Sequence, residues 1–214
     1  MLFLITSENY ADCFCPKKFG ISNFFIKFAI RSIDIVMADL SKLNKEQKKI
    51  IADLHSPDED IVVDTLYRIR EVGDEYCIDP MIEVFFTTPF ANVRTEIGRV
   101  FLDLKSAKVS NQILESLSGY MNHELIGEFI SNLWQSSVVF DDVTPFVEKF
   151  VDADEMLALD CLSLVENNLG NLSGDSLARS REIVRNNYGS FNGMKKQLAE
   201  DLISILESRS EFDM

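Results

Sequence analysis

Apolar residues recur about every 32 positions through much of this chain, and that period constrains its fold more than any other feature. Three columns of equivalent positions show the period: Ile61, Val93, Leu125 and Leu157; Thr65, Ile97, Phe129 and Cys161; and Ile69, Phe101, Leu133 and Val165. Within one repeat the three positions are four residues apart, which places them along one side of an α-helix. A helical unit repeated at this length is typical of a solenoid.

The columns lie on the second helix of each predicted helical pair. Asn44 is placed to cap a helix that ends at His55, and Ser56 is placed to cap the helix that follows it. Further pairs are predicted at 77–86 and 91–104, at 109–118 and 123–135, and at 143–151 and 153–168. The last two helices, at 175–187 and 191–208, no longer keep the period, as expected for a terminal repeat.

Composition agrees with an all-helical protein. The chain has nine glycines and five prolines and lacks strong period-2 alternation, which disfavours strands. Hydrophobic residues make up 46% and charged residues 26% of the chain, and this balance is typical of a globular domain rather than a disordered segment. The sequence therefore predicts an all-α fold of about four to five helical hairpins stacked in two layers.

The segment from Ile78 to Leu104, IDPMIEVFFTTPFANVRTEIGRVFLDL, resembles a HEAT repeat. It has an early proline in the first helix, Pro80, a proline in the turn, Pro89, and a second helix that opens with Val93 and Arg94. The resemblance implies a right-handed α-α superhelix whose second helices line a concave face, and it implies no particular activity. The family's arginine column departs from the pattern, reading Val62, Arg94, Ile126 and Ala158, so an armadillo-like or other divergent helical repeat stays open.

Residues 1–36 form an N-terminal extension that differs from the repeat domain at 37–214. The extension contains an apolar run at 19–36, which Lys27, Arg31 and Asp34 interrupt at helical spacing, so it does not read as a spanning helix. Three interpretations stay open. The run forms an amphipathic helix that covers the first repeat, or it lies on a membrane surface, or Met37 is the natural start of the protein.

The charge of the chain predicts a basic protein partner. Its formal net charge is −14, with 35 acidic and 21 basic side chains, which disfavours binding to nucleic acid. Membrane binding is not expected either, because only two cations lie on the polar face of the run at 19–36. The four cysteines and two histidines do not have the spacing of a zinc site, so no metal or cofactor is expected and a reduced cytoplasmic location is the default. No phosphate-binding loop or nucleophile elbow occurs, which favours a protein that is not an enzyme.

An acidic column is the strongest candidate for a partner-binding site. It consists of Asp64, Glu96, Glu128 and Asp160, which keep the period of the repeat, and Glu71, Asp103 and Glu124 belong to the same helix faces. These positions are about 130° from the centre of the apolar stripe, so we expect all of them to be exposed. Stacked helices are about 8 to 10 Å apart, so the charges would join into one negative strip.

The functional prediction is a non-catalytic scaffold that binds a protein partner through an acidic concave groove. One alternative is an immunity or inhibitor protein that neutralises a basic toxin, and a second is a helical-repeat enzyme. Trp134 and the basic cluster of Arg179, Arg181 and Arg185 are further candidate contacts, each with a structural interpretation as core boundary or solvated face.

Overall fold

A computed structural model describes residues 43–72, 75–104 and 109–208 of the chain. The chain divides into two compact units, Met1–Lys48 and Lys49–Met214. The predictions on the apolar run at 19–36, on Met37 and on the boundary between 36 and 37 lie outside the described residues. Within the described ranges the protein contains helices and no strand, which confirms the all-α prediction.

Ten α-helices lie in the described ranges. They are α1 (Lys45–Leu54), α2 (Glu59–Val72), α3 (Ile78–Thr87), α4 (Ala91–Asp103), α5 (Ser110–Leu117), α6 (Ile126–Leu133), α7 (Thr144–Asp152), α8 (Glu155–Asn168), α9 (Gly174–Asn187) and α10 (Gly193–Ser208). Three short 3-10 turns accompany them at Glu75–Cys77, Leu169–Asn171 and Tyr188–Ser190. The helices fall close to the predicted positions, and the ends differ by a few residues.

The starts of α1 and α2 test the predicted caps. Asn44 caps α1 as predicted, because its side-chain oxygen accepts hydrogen bonds from the backbone N–H groups of Glu46 and Gln47, both at 2.9 Å. Ser56 does not cap α2. Its hydroxyl accepts from the N–H of Asp58 ahead of the helix, and the Asp58 carboxylate in turn accepts from the N–H of Asp60 at 3.0 Å. The cap prediction at Ser56 is therefore wrong, and Asp58 takes that role.

The helices of the second unit pack in two layers. In one layer α2, α4, α6, α8 and α10 form a row in which each helix packs against the next. In the other layer α3 packs against α5, and α7 packs against α9. Contacts between α3 and α4, between α7 and α8 and between α9 and α10 join the layers. The apolar core lies between them, as the two-layer prediction requires.

The apolar columns contribute to this core. Every member of the column that contains Thr65 and of the column that contains Ile69 is buried. The column of Ile61 differs, since Ile61 is 44% exposed whereas Val93, its equivalent in the next repeat, is fully buried. Ile61 lies on α2, the first helix of the row among the described residues, so no preceding second helix covers it.

Phe129 is the centre of an aromatic cluster that joins three helices from two successive helical pairs. Its ring centroid lies 5.0 Å from that of Phe85 and 5.0 Å from that of Phe101, both in edge-to-face geometry. Phe86 contributes a third ring at 5.6 Å. Edge-to-face pairs place the positive ring edge against the negative face of its neighbour, so the cluster fixes how α3, α4 and α6 meet.

Gly98 lies where α4 approaches α6. A Cβ atom added to this buried residue of α4 would lie 2.7 Å from Oδ1 of Asn132 on α6. The Asn132 side chain is held by a 2.8 Å hydrogen bond from its Nδ2 to the carbonyl oxygen of Glu128. Glycine therefore allows α4 and α6 to pack more closely here than an alanine would.

Polar contacts also connect each pair of helices to the next. Arg70 on α2 donates to Asp103 on α4, 33 residues later, and Gln112 on α5 donates to Asp79 on α3, again 33 residues away. Val143 donates its N–H to the buried hydroxyl of Ser176, with the same separation. These contacts join positions that are one repeat apart, so the sequence period has a counterpart in the packing.

Candidate partner-binding face

The seven predicted acidic residues lie on the row of second helices or next to it. Asp64 and Glu71 belong to α2, Glu96 and Asp103 to α4, Glu124 precedes α6, Glu128 belongs to α6 and Asp160 to α8. We call the solvent-facing side of α2, α4, α6 and α8 the second-helix face. Because each of these helices packs against the next, the predicted residues lie on or beside neighbouring helices of one row.

The prediction that the whole acidic column is exposed is wrong at Glu96. Asp64 and Glu128 are exposed and Asp160 is half-buried, but Glu96 is only 3% exposed. The prediction considered only the face of the helix opposite the apolar stripe. Because α4 lies between α2 and α6, its flanks are covered as well, and Glu96 lies on one of these flanks.

Arginines neutralise three of the predicted carboxylates. Glu96 accepts a hydrogen bond from Arg99 through Oε1, and its Oε2 has no hydrogen-bond partner among the described residues. Glu128 lies 3.7 Å from Nε of Arg94, and Asp103 accepts from Nε of Arg70 at 2.9 Å. The negative strip is therefore interrupted around α4 instead of being continuous.

The carboxylate of Asp160 is hydrogen-bonded to Trp134, the one tryptophan of the chain. The indole Nε1 of Trp134 donates to Oδ1 of Asp160 at 2.9 Å, which ties the end of α6 to α8. Burial raises the pKa of the Asp160 carboxyl, and the hydrogen bonds from Trp134 and Ser131 oppose that effect. Trp134 is half-buried and packs against the core, so its structural interpretation as a core-boundary residue is confirmed.

Three of the predicted residues stay exposed with no ion pair within 4.0 Å among the described residues: Asp64, Glu71 and Glu124. Two of them, Asp64 and Glu71, flank Tyr67 on α2 at positions i, i+3 and i+7. Tyr67 is 48% exposed. Residues at this spacing share one side of a helix, so an aromatic ring lies between two carboxylates. We call these three residues the α2 stripe.

Tyr67 is a residue that the sequence analysis missed. Tyr67 does not belong to a column that repeats along the chain, because the equivalent residue in the next repeat is Arg99. A signal was nevertheless present. Tyr67 is two positions after Thr65 and lies about 200° from it around the helix, which predicts an exposed aromatic side chain.

An apolar cavity of about 330 Å³ lies where the helix connections of the first two pairs meet. Pro57, Pro89 and Phe90 contribute to its lining. At its edge His55 Nε2 lies 3.6 Å from Oε2 of Glu83 on α3. The interaction between these two side chains raises the pKa of His55 and lowers the pKa of Glu83, since each charged form stabilises the other.

The arginines of the predicted basic cluster on α9 contact residues of neighbouring elements. Arg181 donates through Nε to the carbonyl oxygen of Leu206 at 3.0 Å, near the carboxyl end of α10. Arg185 donates to Glu207 at 2.6 Å, and Arg179 lies 3.4 Å from Asp142. The guanidinium groups therefore stabilise the end of α10 and the start of α7.

Comparison with protein-family models finds no model that matches the chain. A search of curated proteins likewise finds none with significant sequence similarity.

Among the described residues, no three histidine, cysteine or carboxylate side chains lie close enough together to hold a metal ion. None of the helices in the described ranges combines the length and the apolar character needed to cross a lipid bilayer. The fold and the face together define a class: an all-helical protein whose paired helices pack in two layers.

Proposed function

We propose that the chain is a HEAT-like solenoid that acts as a non-catalytic protein-interaction module and binds a basic segment of its partner. The observation that carries the proposal is the α2 stripe, in which exposed Tyr67 lies between the exposed carboxylates of Asp64 and Glu71. The partner segment lies on the second-helix face, with its lysine or arginine side chains at the stripe.

Two features support the solenoid. The second helices form one row in which successive members pack together. The polar contacts between pairs have separations of 33 and 37 residues, as in Gln112 with Asp79 and Ser116 with Asp79. Such separations are those expected when each repeat contacts its neighbours in a stacked array.

The α2 stripe offers two kinds of interaction to a cation. An arginine side chain stacks on the Tyr67 ring, an interaction of about 0.5 to 1 kcal/mol at an exposed site. The carboxylates of Asp64 and Glu71 add ion pairs of about 0.2 to 1 kcal/mol each, screened by salt. The net charge of −14 attracts the same partner over a longer range and raises its association rate.

Binding is concentrated at the stripe rather than spread along a continuous acidic groove. Around α4 the predicted carboxylates already have arginine partners, so a basic segment must displace Arg70 or Arg94 to use them. No such competitor lies within 4.0 Å of Asp64 or Glu71 among the described residues. The proposed site is therefore narrower than the acidic strip that the sequence suggests.

A charge-reversal experiment tests this function. The variant Asp64→Lys/Glu71→Lys is compared with Glu115→Lys/Glu182→Lys, which makes the same change of charge at exposed positions on α5 and α9. The probe is a fluorescent arginine-rich peptide, and its affinity for the full chain is measured by anisotropy. We expect the first variant to bind about tenfold more weakly, or about 1.4 kcal/mol, and the second to change affinity about twofold through net charge alone.

The salt dependence and the location of the peptide provide a second readout. Affinity is expected to fall as salt rises from about 50 to 300 mM, and backbone amide signals of α2 are expected to shift in NMR spectra on addition of peptide. Equal weakening in both variants, or amide shifts spread evenly over the surface, would show that only the overall charge attracts the peptide. That result would remove the α2 stripe as a site.

A further inference from the structure

Three large apolar side chains are exposed on α8 and α10. Met156 is 71% exposed and Leu159, one helical turn later on α8, is 43% exposed. Met194 at the start of α10 is 56% exposed. We call these three side chains the Met156 patch. Exposed methionines are adaptable contact residues, because the unbranched thioether chain fits surfaces of many shapes.

The starts of α8 and α10 are neighbours, which brings the two methionines to one edge of the row. A Cβ atom added at Gly193, the first residue of α10, would lie 3.9 Å from Oε1 of Glu155, the first residue of α8. Gly193 has a φ of 56°, a conformation that favours glycine. Met156 and Met194 are the next residues of the two helices.

Carboxylates surround the patch. Asp152, Asp154 and Glu155 are exposed just before Met156, and half-buried Asp160 follows one turn later. Two lysines follow Met194 on α10. The ammonium of Lys196 lies 5.2 Å from the centroid of the Tyr188 ring. Lys195 interacts with Asp152 and Asp154. Its ammonium donates to the carbonyl oxygens of Val151 at 2.6 Å and Ala153 at 2.5 Å, so it is held against the end of α7. The surroundings of the patch therefore carry an excess of negative charge.

We propose that the Met156 patch binds an amphipathic helix with a basic polar face, supplied by a partner protein. Leucine-like anchors of that helix pack on Met156, Leu159 and Met194, and its lysines and arginines meet the surrounding carboxylates. The charge decides between occupants. A second copy of the chain would bring the same carboxylates against each other, and an anionic lipid surface would be repelled. This site is separate from the α2 stripe and does not depend on it.

The test uses the full chain with ¹³C-labelled methionine methyl groups. Of its methionines, Met81 is buried and serves as an internal reference. The probe is a leucine-lysine peptide of about five helical turns with leucines at i, i+3, i+4 and i+7, compared with a peptide of the same composition in shuffled order. We expect the amphipathic peptide to shift the Met156 and Met194 methyl signals and to leave Met81 unchanged. The shuffled peptide, which has the same charge, is expected to leave all three signals in place.

Variants separate this proposal from the function proposed above. Met156→Ser/Met194→Ser is expected to weaken binding of the amphipathic peptide about tenfold, whereas Val139→Ser, a matched truncation of an exposed apolar residue elsewhere, is expected to leave it unchanged. In Asp64→Lys/Glu71→Lys the methyl shifts are expected to persist. Absence of methyl shifts in the unmodified chain, or equal shifts with the shuffled peptide, would overturn the proposal. So would methyl signals that depend on protein concentration without peptide, which would indicate self-association.

Discussion

Because α4 and α6 approach each other closely at Gly98, we expect the effect of Gly98→Ala on stability to depend on which residue stands at position 132. In the unmodified protein, Gly98→Ala places a methyl group 2.7 to 2.9 Å from the three terminal atoms of the Asn132 side chain. Real Cβ atoms do not come this close to other atoms, so Asn132 must move. When Asn132 is first replaced by alanine, the same methyl group no longer meets that side chain.

The expected changes in the free energy of unfolding follow from three contributions. Alanine favours a helix interior over glycine by about 0.8 to 1 kcal/mol, which stabilises both backgrounds. Moving Asn132 breaks its 2.8 Å hydrogen bond to the Glu128 carbonyl, at a cost of about 1 kcal/mol. An off-rotamer side chain adds about 0.5 to 1.5 kcal/mol. Gly98→Ala should therefore destabilise the unmodified protein by about 0.5 to 1.5 kcal/mol and stabilise Asn132→Ala by about 1 kcal/mol.

A double-mutant cycle measures this coupling. Urea unfolding of the four proteins is followed by helical circular dichroism and by the fluorescence of Trp134, which adjoins α6. Gly127→Ala is the matched control, because a methyl group on this α6 residue would meet only Leu157, at 3.8 and 3.9 Å, which is ordinary contact. Because Gly127 is the second residue of α6 and not in the helix interior, we expect this control to stabilise the protein by about 0.4 to 1 kcal/mol.

The expected coupling between Gly98→Ala and Asn132→Ala is about 1.5 to 2.5 kcal/mol, well above the roughly 0.3 to 0.5 kcal/mol within which distant substitutions add. A coupling below about 0.5 kcal/mol would refute the reasoning, because it would mean that the two helices have room for the methyl group. A stabilising Gly98→Ala in the unmodified protein would lead to the same conclusion.

Two further substitutions test the pair of His55 with Glu83 and the hydrogen bonds of Lys195. The pKa of His55 is raised and the pKa of Glu83 is lowered, so both are charged in the folded protein between their ordinary pKa values of 6.5 and 4.5, and their pair stabilises the fold there. This stabilisation is lost as His55 deprotonates at higher pH or as Glu83 protonates at lower pH. His55→Gln should therefore lose up to about 1 kcal/mol at pH near 5.5 and little near 8.5 in urea titrations, and equal losses at both would contradict the pairing. Lys195→Met keeps an unbranched side chain but removes both hydrogen bonds to Val151 and Ala153, and we expect about 1 to 3 kcal/mol of destabilisation by urea unfolding; no loss would mean that water satisfies these carbonyls.

Much of the fold follows from the sequence because helix positions depend on local periodicity. The column of Thr65 marks a buried position in every repeat, and Asn44 marks the start of α1. The cap at Ser56 is different. Serine followed by proline and three acidic residues offers several possible starts for α2, and the chain uses Asp58, whose carboxylate accepts from the N–H of Asp60.

The candidate site was less accessible to sequence reasoning because it depends on neighbours in space. An angle around one helix predicts which side faces away from the core, but it does not show which flank a neighbouring helix covers, and that decides the burial of Glu96. Neither does it reveal that Arg70 reaches Asp103 or that Trp134 reaches Asp160. Tyr67 has no repeated equivalent, so a search for columns passes over it.

The polar contacts between successive helical pairs bear on how the chain folds. Arg70 with Asp103, Gln112 with Asp79 and Asn167 with Trp134 each close a loop of 33 residues. The entropic cost of closing a flexible loop depends on its length, so each closure has nearly the same cost. None of these three closures, all within the described ranges, brings distant parts of the chain together. We therefore expect folding to advance from one helical pair to the next, with the terminal pairs the first to open.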